Sequence, residues 1–167
     1  MKNSLLKTIC RNAFIAANYV VLTYATSAIS FGPIQVRISE ALVLLCFFRK
    51  DYIYGITLGC LIANLFSPYL PWDLIVGTAA TFFSCLCICF CKHLFIAGLF
   101  PVIFNAFAVG AEIAVIDELP FWLIVGEVGL GEFVAVCVIG YLIYRLLKQN
   151  SRFLEIIGAN QNLEYRW

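Results

Sequence analysis

Residues 94–116 read LFIAGLFPVIFNAFAVGAEIAVI, an apolar run with one ionisable side chain, Glu112. A bilayer core about 30 Å thick is crossed by roughly 20 mostly apolar residues at a helical rise near 1.5 Å each. This stretch has the length and composition to cross. The rest of the chain has the same character: 63% of the 167 residues belong to the AVILMFWYC set and 13% are charged, with a mean hydropathy of +0.95. That balance is far from a soluble domain and excludes a water-soluble fold. With short connections there is room for about five to seven spans and none for a nucleotide-binding motor or a large external receptor domain. The expected architecture is an all-α integral membrane protein of about six transmembrane helices, with 1–167 a single membrane domain.

Breaks at glycine, proline and charge clusters divide the chain into helices at Thr8 to Ile29, Ser39 to Phe48, Tyr52 to Phe66, Leu74 to Cys91, Leu94 to Ile116 and Phe121 to Leu147. The basic N-terminus, Met1 to Lys7, leads into a long apolar run with no clear cleavage site, which reads as a retained first helix rather than a signal peptide. The second segment is too short to cross alone. It is tilted, partly re-entrant, or extended by Ile34 to Ile38, and non-helical backbone at that depth needs shelter by protein or a cavity. The preceding loop, Ser30 to Arg37, carries Gly32, Pro33, Gln35 and Arg37, polar and turn-forming chemistry at the mouth of an apolar protein.

Lysine and arginine placement sets the expected orientation. With six spans and the N-terminus inside, Lys2, Lys7, Arg11, Arg49, Lys50, Lys92, Arg145, Lys148, Arg152 and Arg166 face the cytoplasm. Arg37 alone of the basic residues falls outside, with Asp73, Asp117 and Glu118 on the outer connections. Both termini are then cytoplasmic, and 149–167 is a polar cytoplasmic tail. Tyr69, Trp72, Phe121 and Trp122 sit where amphipathic aromatics anchor helices at the outer interface.

Four acids, Glu40, Glu112, Glu127 and Glu132, interrupt apolar segments. A charge near the bilayer centre costs about 2.5–3.5 kcal/mol on insertion scales, so these groups face a cavity, a partner or a proton. An interfacial position or a neutral, hydrogen-bonded state accounts for one or two of them; a polar cavity accounts for the set. Gln35, Asn64 and Asn105 also need partners in a dry setting. Asn105 and Glu112 lie seven apart, nearly on one helical face and about 10 Å apart along the axis, so they can line one pocket at two depths. Glu127 and Glu132 diverge by about 140° on a regular helix. Unless Gly126, Gly129 and Gly131 distort that helix, one of the two faces the pocket, and Glu132 is the deeper.

Ala13 and Ala17 form a small-residue pair that lets another helix approach closely, inside this chain or from a partner. The eight cysteines, at 10, 46, 60, 85, 87, 89, 91 and 137, lie almost all in apolar segments and read as small hydrophobes rather than a disulfide framework. The alternate spacing of Cys85, Cys87, Cys89 and Cys91 sends successive thiols to opposite sides of a helix, which argues against a metal site. His93 is the single histidine, and phosphate-binding glycine loops are absent, so no catalytic residues are assigned.

The run Ser30-Phe-Gly-Pro-Ile-Gln-Val-Arg-Ile-Ser-Glu-Ala-Leu42, with Leu58-Gly-Cys-Leu-Ile-Ala-Asn-Leu-Phe-Ser-Pro68, Asp73-Leu-Ile-Val-Gly-Thr78, Pro101-Val-Ile-Phe-Asn-Ala106, Val109-Gly-Ala-Glu112, Phe121-Trp122 and Gly131-Glu132, resembles the queuosine-precursor transporter (QueT) family. The resemblance runs in order through nearly the whole chain, and its first segment is the specific one. It implies the substrate-binding S component of an energy-coupling-factor transporter, a six-helix subunit without an ATPase of its own. Implied partners are a transmembrane coupling protein and two ATPase subunits. ATP belongs to those partners, and no cofactor is expected in this chain. Ala13 and Ala17 match the spacing of the surface that S components offer the coupling protein.

The implied substrate is a 7-deazaguanine, such as 7-aminomethyl-7-deazaguanine, its nitrile or queuine. Adjacent N–H donors on its guanine edge suit a carboxylate, and an aminomethyl cation suits another. On that resemblance Glu112 or Glu132 clamps the guanine edge, Asn64 and Asn105 complete the purine contacts, and Glu40 lies near the aminomethyl group. Gln35 and Arg37 belong to a lid formed by the first loop, with Arg37 paired to Glu40. Glu127 departs from the family pattern, as a private pocket variation or an interfacial residue. Two alternatives use the same acids: an S component for another vitamin-like heterocycle, and a stand-alone proton-coupled carrier, which internal repeats would favour and this chain does not display.

Overall fold

The structure is a computed structural model, and it describes residues 2–30 and 35–162. Positions 31–34 of the expected lid and 163–167 of the expected tail, including Arg166, lie outside the described residues.

The chain is an all-α membrane protein. Its helices are α1 (Lys2–Ala25), a single turn α2 (Ser27–Ser30), a 3-10 helix (Ile38–Leu44) running into α3 (Leu45–Phe48), α4 (Tyr52–Asn64), α5 (Trp72–Ile88), α6 (Leu94–Ile116), α7 (Phe121–Glu132), a π-helical stretch (Phe133–Gly140) continuing as α8 (Tyr141–Leu147), and α9 (Ser151–Ile157). Among the described residues, three continuous helices are long and apolar enough to cross a bilayer: Leu5–Ala25, Leu94–Ile116 and Phe121–Leu147. Three shorter apolar segments, Ile38–Phe48, Tyr52–Asn64 and Trp72–Ile88, lie among them.

Expected boundaries hold at α6 and shift elsewhere. The first helix begins at Lys2 and stops at Ala25, earlier than its apolar run suggests. The short second segment is largely 3-10, which rises about 2 Å per residue, so Ile38–Phe48 reaches about 20 Å, further than an α-helix of the same residues. The last span is α-helical as far as Glu132 and then widens into the π stretch. The glycines at 126, 129 and 131 therefore precede the distortion. Gly110 accepts the backbone of Val125 at close range, and Gly129 faces Ala106, so both serve α6–α7 packing.

The helices turn back and forth between two ends of the bundle. One end, here the terminal end, gathers the start of α1, the end of α3, the starts of α4 and α6, and α8–α9. The other, the distal end, gathers the close of α1 and α4 and the starts of α5 and α7. The main core lies toward the terminal end, where Phe47, Phe48, Cys85, Ile88, Leu94, Tyr144 and Ile157 pack together. A smaller cluster of Val109, Ile113, Ala114, Ile124 and Val128 joins α6 to α7 distally.

Contact between α1 and α4 depends on missing side chains. A Cβ on Gly55 would fall 2.6 Å from the Asn12 carbonyl oxygen, and one on Gly59 would fall 2.8 Å from the Tyr19 Cβ and 3.0 Å from the Ala16 Cα. The Gly55 amide donates to Asn12 Oδ1 at 2.8 Å in the same seam. Ala16 and Tyr19 thus occupy the inner face of α1, and Ala13 and Ala17 are left on its exposed face. The small-residue pair does not serve packing within the described chain.

Candidate functional site

Two polar layers are buried in the distal half. The outer layer is made where the distal tips of the short segments meet. Arg37 caps the 3-10 helix with an extended backbone (φ −87°, ψ 91°), which aims its side chain away from the following turn. Its Nη2 pairs with Asp73 Oδ2 at 3.2 Å, and its Nη1 donates to Asn64 Oδ1 at 3.3 Å. Asn64 Nδ2 donates to the Asp73 carbonyl oxygen at 2.8 Å and to Thr78 Oγ1 at 3.3 Å, and the Ser67 hydroxyl donates to Asp73 Oδ2. Gly77 makes room for this knot, because a Cβ there would lie 3.0 Å from Asn64 Nδ2 and 3.2 Å from Asp73 Oδ1. Both members of the ion pair are nearly sealed from solvent, at 4% and 0% exposure. In such a pair desolvation opposes the attraction, and removing one partner costs far more than the pair contributes net.

The inner layer surrounds Glu40 and Glu132. Tyr19 OH donates to Glu40 Oε1, and Thr81 Oγ1 donates to the same oxygen at 3.1 Å. The Cys60 thiol donates to Thr81 Oγ1 at 3.3 Å, and Thr23 bonds to Ser39 at 2.7 Å beside them. Across the bundle, Asn105 Nδ2 donates to Glu132 Oε1 at 3.0 Å. Glu40 stands on the 3-10 helix and Glu132 at the last α-helical residue before the π stretch. Gly140 of that stretch lies against Ala41 and Leu44, where a Cβ would meet them at 3.2 Å, so the two irregular segments shelter one another. Glu132 is close enough to Glu40 and to Arg37 for their charges to act on one another.

What the two layers share is an excess of acceptors. Among the described residues, the buried oxygens without a protein hydrogen bond are Glu40 Oε2 and Glu132 Oε2 in the inner layer and Asp73 Oδ1 in the outer layer. Both carboxylate oxygens of Glu112, which stands on α6 apart from the two layers, are in the same state. Each buried acceptor left unmade costs about 1–3 kcal/mol, which a donor brought by a bound molecule offsets. The arrangement fits a small solute rich in N–H donors.

Of the residues singled out by sequence, Arg37, Glu40, Asn64, Asn105 and Glu132 fall in the two layers, and Glu112 stands apart from them. Glu40, Asn64, Asn105, Glu112 and Glu132 are all buried, and Gln35 is buried at the head of the 3-10 helix with φ of 45°. Glu127 is half-buried, as expected for the shallower of the α7 acids. Two expectations are corrected. Arg37 pairs with Asp73 and not with Glu40, because its extended backbone carries it across to α5. Asp73 is not a solvated outer-connection acid but is fully buried. Sequence reasoning also passed over Tyr19, Ser67 and Thr81, whose hydroxyls look like ordinary span or loop residues until their partners are seen.

At the distal rim, Tyr69 OH donates to Asp117 Oδ2 at 2.8 Å, joining the α4–α5 loop to the end of α6. Burial and the neighbouring Asp117 push the Tyr69 phenol up to about 12, so it stays a donor at neutral pH.

Comparison with known proteins adds two positive findings. The family model described as "QueT transporter" matches residues 9–149. The "Queuosine precursor transporter QueT" of Lactococcus lactis subsp. cremoris (strain MG1363) is 37% identical over 168 residues, covering 89% of this chain and 97% of that protein. No solved structure matches the chain.

Proposed function

The chain belongs to the QueT transporter family, and we propose that it is the substrate-binding S component of an energy-coupling-factor transporter that imports a 7-deazaguanine precursor of queuosine. The observation that carries this reading is the buried acceptor set of Glu40, Asp73, Glu112 and Glu132. A guanine-type edge offers adjacent N–H donors matched to a carboxylate, and an aminomethyl arm adds a cation. Asn105, already held on Glu132, orients that carboxylate. Glu40, fixed by Tyr19 and Thr81 through one oxygen, keeps the other for the ligand.

In this reading the chain crosses the bilayer six times with both termini in the cytoplasm, and the distal end faces outward to meet the solute. The shorter segments cross with the help of the longer helices around them. The exposed Ala13–Ala17 face of α1 docks the transmembrane coupling protein, and ATP is hydrolysed by two partner ATPases. Of the three long helices α1 is the least covered: 17% of its most apolar window is buried, against 44% for each of the other two. That bareness supports a partner on this face.

The test is equilibrium binding of 7-aminomethyl-7-deazaguanine to the purified, detergent-solubilised protein, with thiamine and guanine as competitors. Saturable binding that thiamine does not displace, weakened at least about tenfold in Glu132→Gln by loss of a charged hydrogen bond, is the expected result. A folded protein that binds no deazaguanine refutes the substrate; displacement by thiamine moves the cargo to another vitamin-like heterocycle.

A further inference from the structure

Glu112 does not share the inner layer with Glu132. Asn105 is bonded to Glu132, and two helical turns of α6, about 10 Å, separate Asn105 from Glu112. Glu112 opens instead into a cleft of about 310 Å³ between α5 and α6, walled by Trp72, Val76, Ala108, Ala111 and Val115. That volume is at the lower end of the roughly 300–1,000 Å³ typical of small-molecule pockets. Both Glu112 oxygens are buried without a hydrogen bond from the described residues, while the residue as a whole is 8% exposed. The carboxylate therefore lies just beneath the surface of a largely apolar cleft.

The charged groups acting on Glu112 are Asp73 and Arg37, and these two are already paired with each other. Arg37 also acts on Glu132 and Glu40. The Arg37–Asp73 pair is thus within electrostatic reach of both the cleft and the inner layer.

Resting on the function proposed above, we propose that the Glu112 cleft is a separate capture subsite. It takes a flat heterocycle with paired N–H donors, or its cationic arm, before the ligand passes the Arg37–Asp73 pair to reach Glu40 and Glu132. The Glu112 side chain turns into the cleft so that its two oxygens accept the donor edge side by side, and the apolar walls with Trp72 hold the ring. The cleft sets the rate of arrival, and the inner layer sets the time of residence.

Stopped-flow binding of 7-aminomethyl-7-deazaguanine to the full-length, detergent-solubilised protein separates the two roles. Glu112→Gln is expected to slow association about tenfold or more, within the range by which charge steers encounter, and to leave dissociation nearly unchanged. Glu132→Gln is expected to do the reverse. Val76→Phe, which fills the cleft and leaves both glutamates in the chain, should reproduce the slow association and serves if Glu112→Gln does not fold. Faster dissociation in Glu112→Gln with unchanged association overturns the proposal by placing Glu112 in the final site. Unchanged kinetics in both cleft variants overturn it by taking the cleft off the path. Wild-type protein that binds no deazaguanine overturns the function beneath it as well, a result distinct from either.

Discussion

The distal and terminal halves of the bundle handle buried polar groups in opposite ways. Distally, acids are gathered and several of their oxygens have no partner among the described residues. At the terminal end even the carbonyl groups where α3 stops are matched: Gln161 Nε2 donates to Cys46 O at 2.7 Å and Phe47 O at 3.1 Å, and Asn162 Nδ2 donates to Phe47 O at 2.8 Å. Tyr52 OH donates to Ile157 O at 2.7 Å, and Arg49 Nη1 to Gly158 O at 3.0 Å. Where α3 stops the chain meets its own acceptors, whereas the distal carboxylates keep oxygens that, on the function proposed above, the solute's donors would meet. The difference teaches where stability resides and where binding does, because unmade hydrogen bonds are tolerated in a folded protein chiefly where function uses them.

The sharpest way to break this comparison is at Arg37. Arg37→Ala leaves Asp73 buried without its cation and should cost about 3–5 kcal/mol, read as a large fall in the thermal midpoint in detergent. The double substitution Arg37→Met with Asp73→Leu should recover most of that stability while binding stays lost, since apolar residues replace a buried pair at little cost. If binding survives the double substitution, the outer layer is structural and the contrast between the halves fails.

A smaller effect is expected at the terminal end. Gln161→Ala with Asn162→Ala removes hydrogen bonds worth about 1 kcal/mol each and should raise the reactivity of the buried Cys46 toward thiol reagents, with ligand affinity unchanged. Loss of affinity in that variant would show the two halves to be coupled. The smallest effect belongs to the exposed face of α1. Ala13→Leu with Ala17→Leu should change the stability of the isolated subunit by no more than about 0.5 kcal/mol and leave binding intact, yet abolish co-purification with the coupling protein.

Much of this was legible in the sequence, for physical reasons that differ by residue. The apolar run of α6 gives its own bounds because span length is dictated by the bilayer. Glu40, Glu112 and Glu132 announce themselves because an acid in an apolar helix is costly anywhere but a sheltered site. Asp73 does not, since beside Pro71 and Trp72 it has the look of an interfacial acid, and its burial goes with a bond from Ser67 in the preceding loop and an ion pair with Arg37, distant in sequence. The 3-10 and π segments were equally silent. Their composition permits an ordinary α-helix, and tertiary packing, with Gly140 set against Ala41 and Leu44, goes with the wider and narrower windings.

The clamp of Gln161 and Asn162 on the end of α3 spans 115 positions of sequence. During synthesis the segment that carries Glu40 therefore emerges long before the residues that close its carbonyl end, at a rate of about 5–20 residues per second. For several seconds this part of the chain waits in the membrane with its backbone incomplete. A nascent chain interrupted before that point carries an open helix end as a local mark of incompleteness, available to the proteases that clear unfinished membrane proteins.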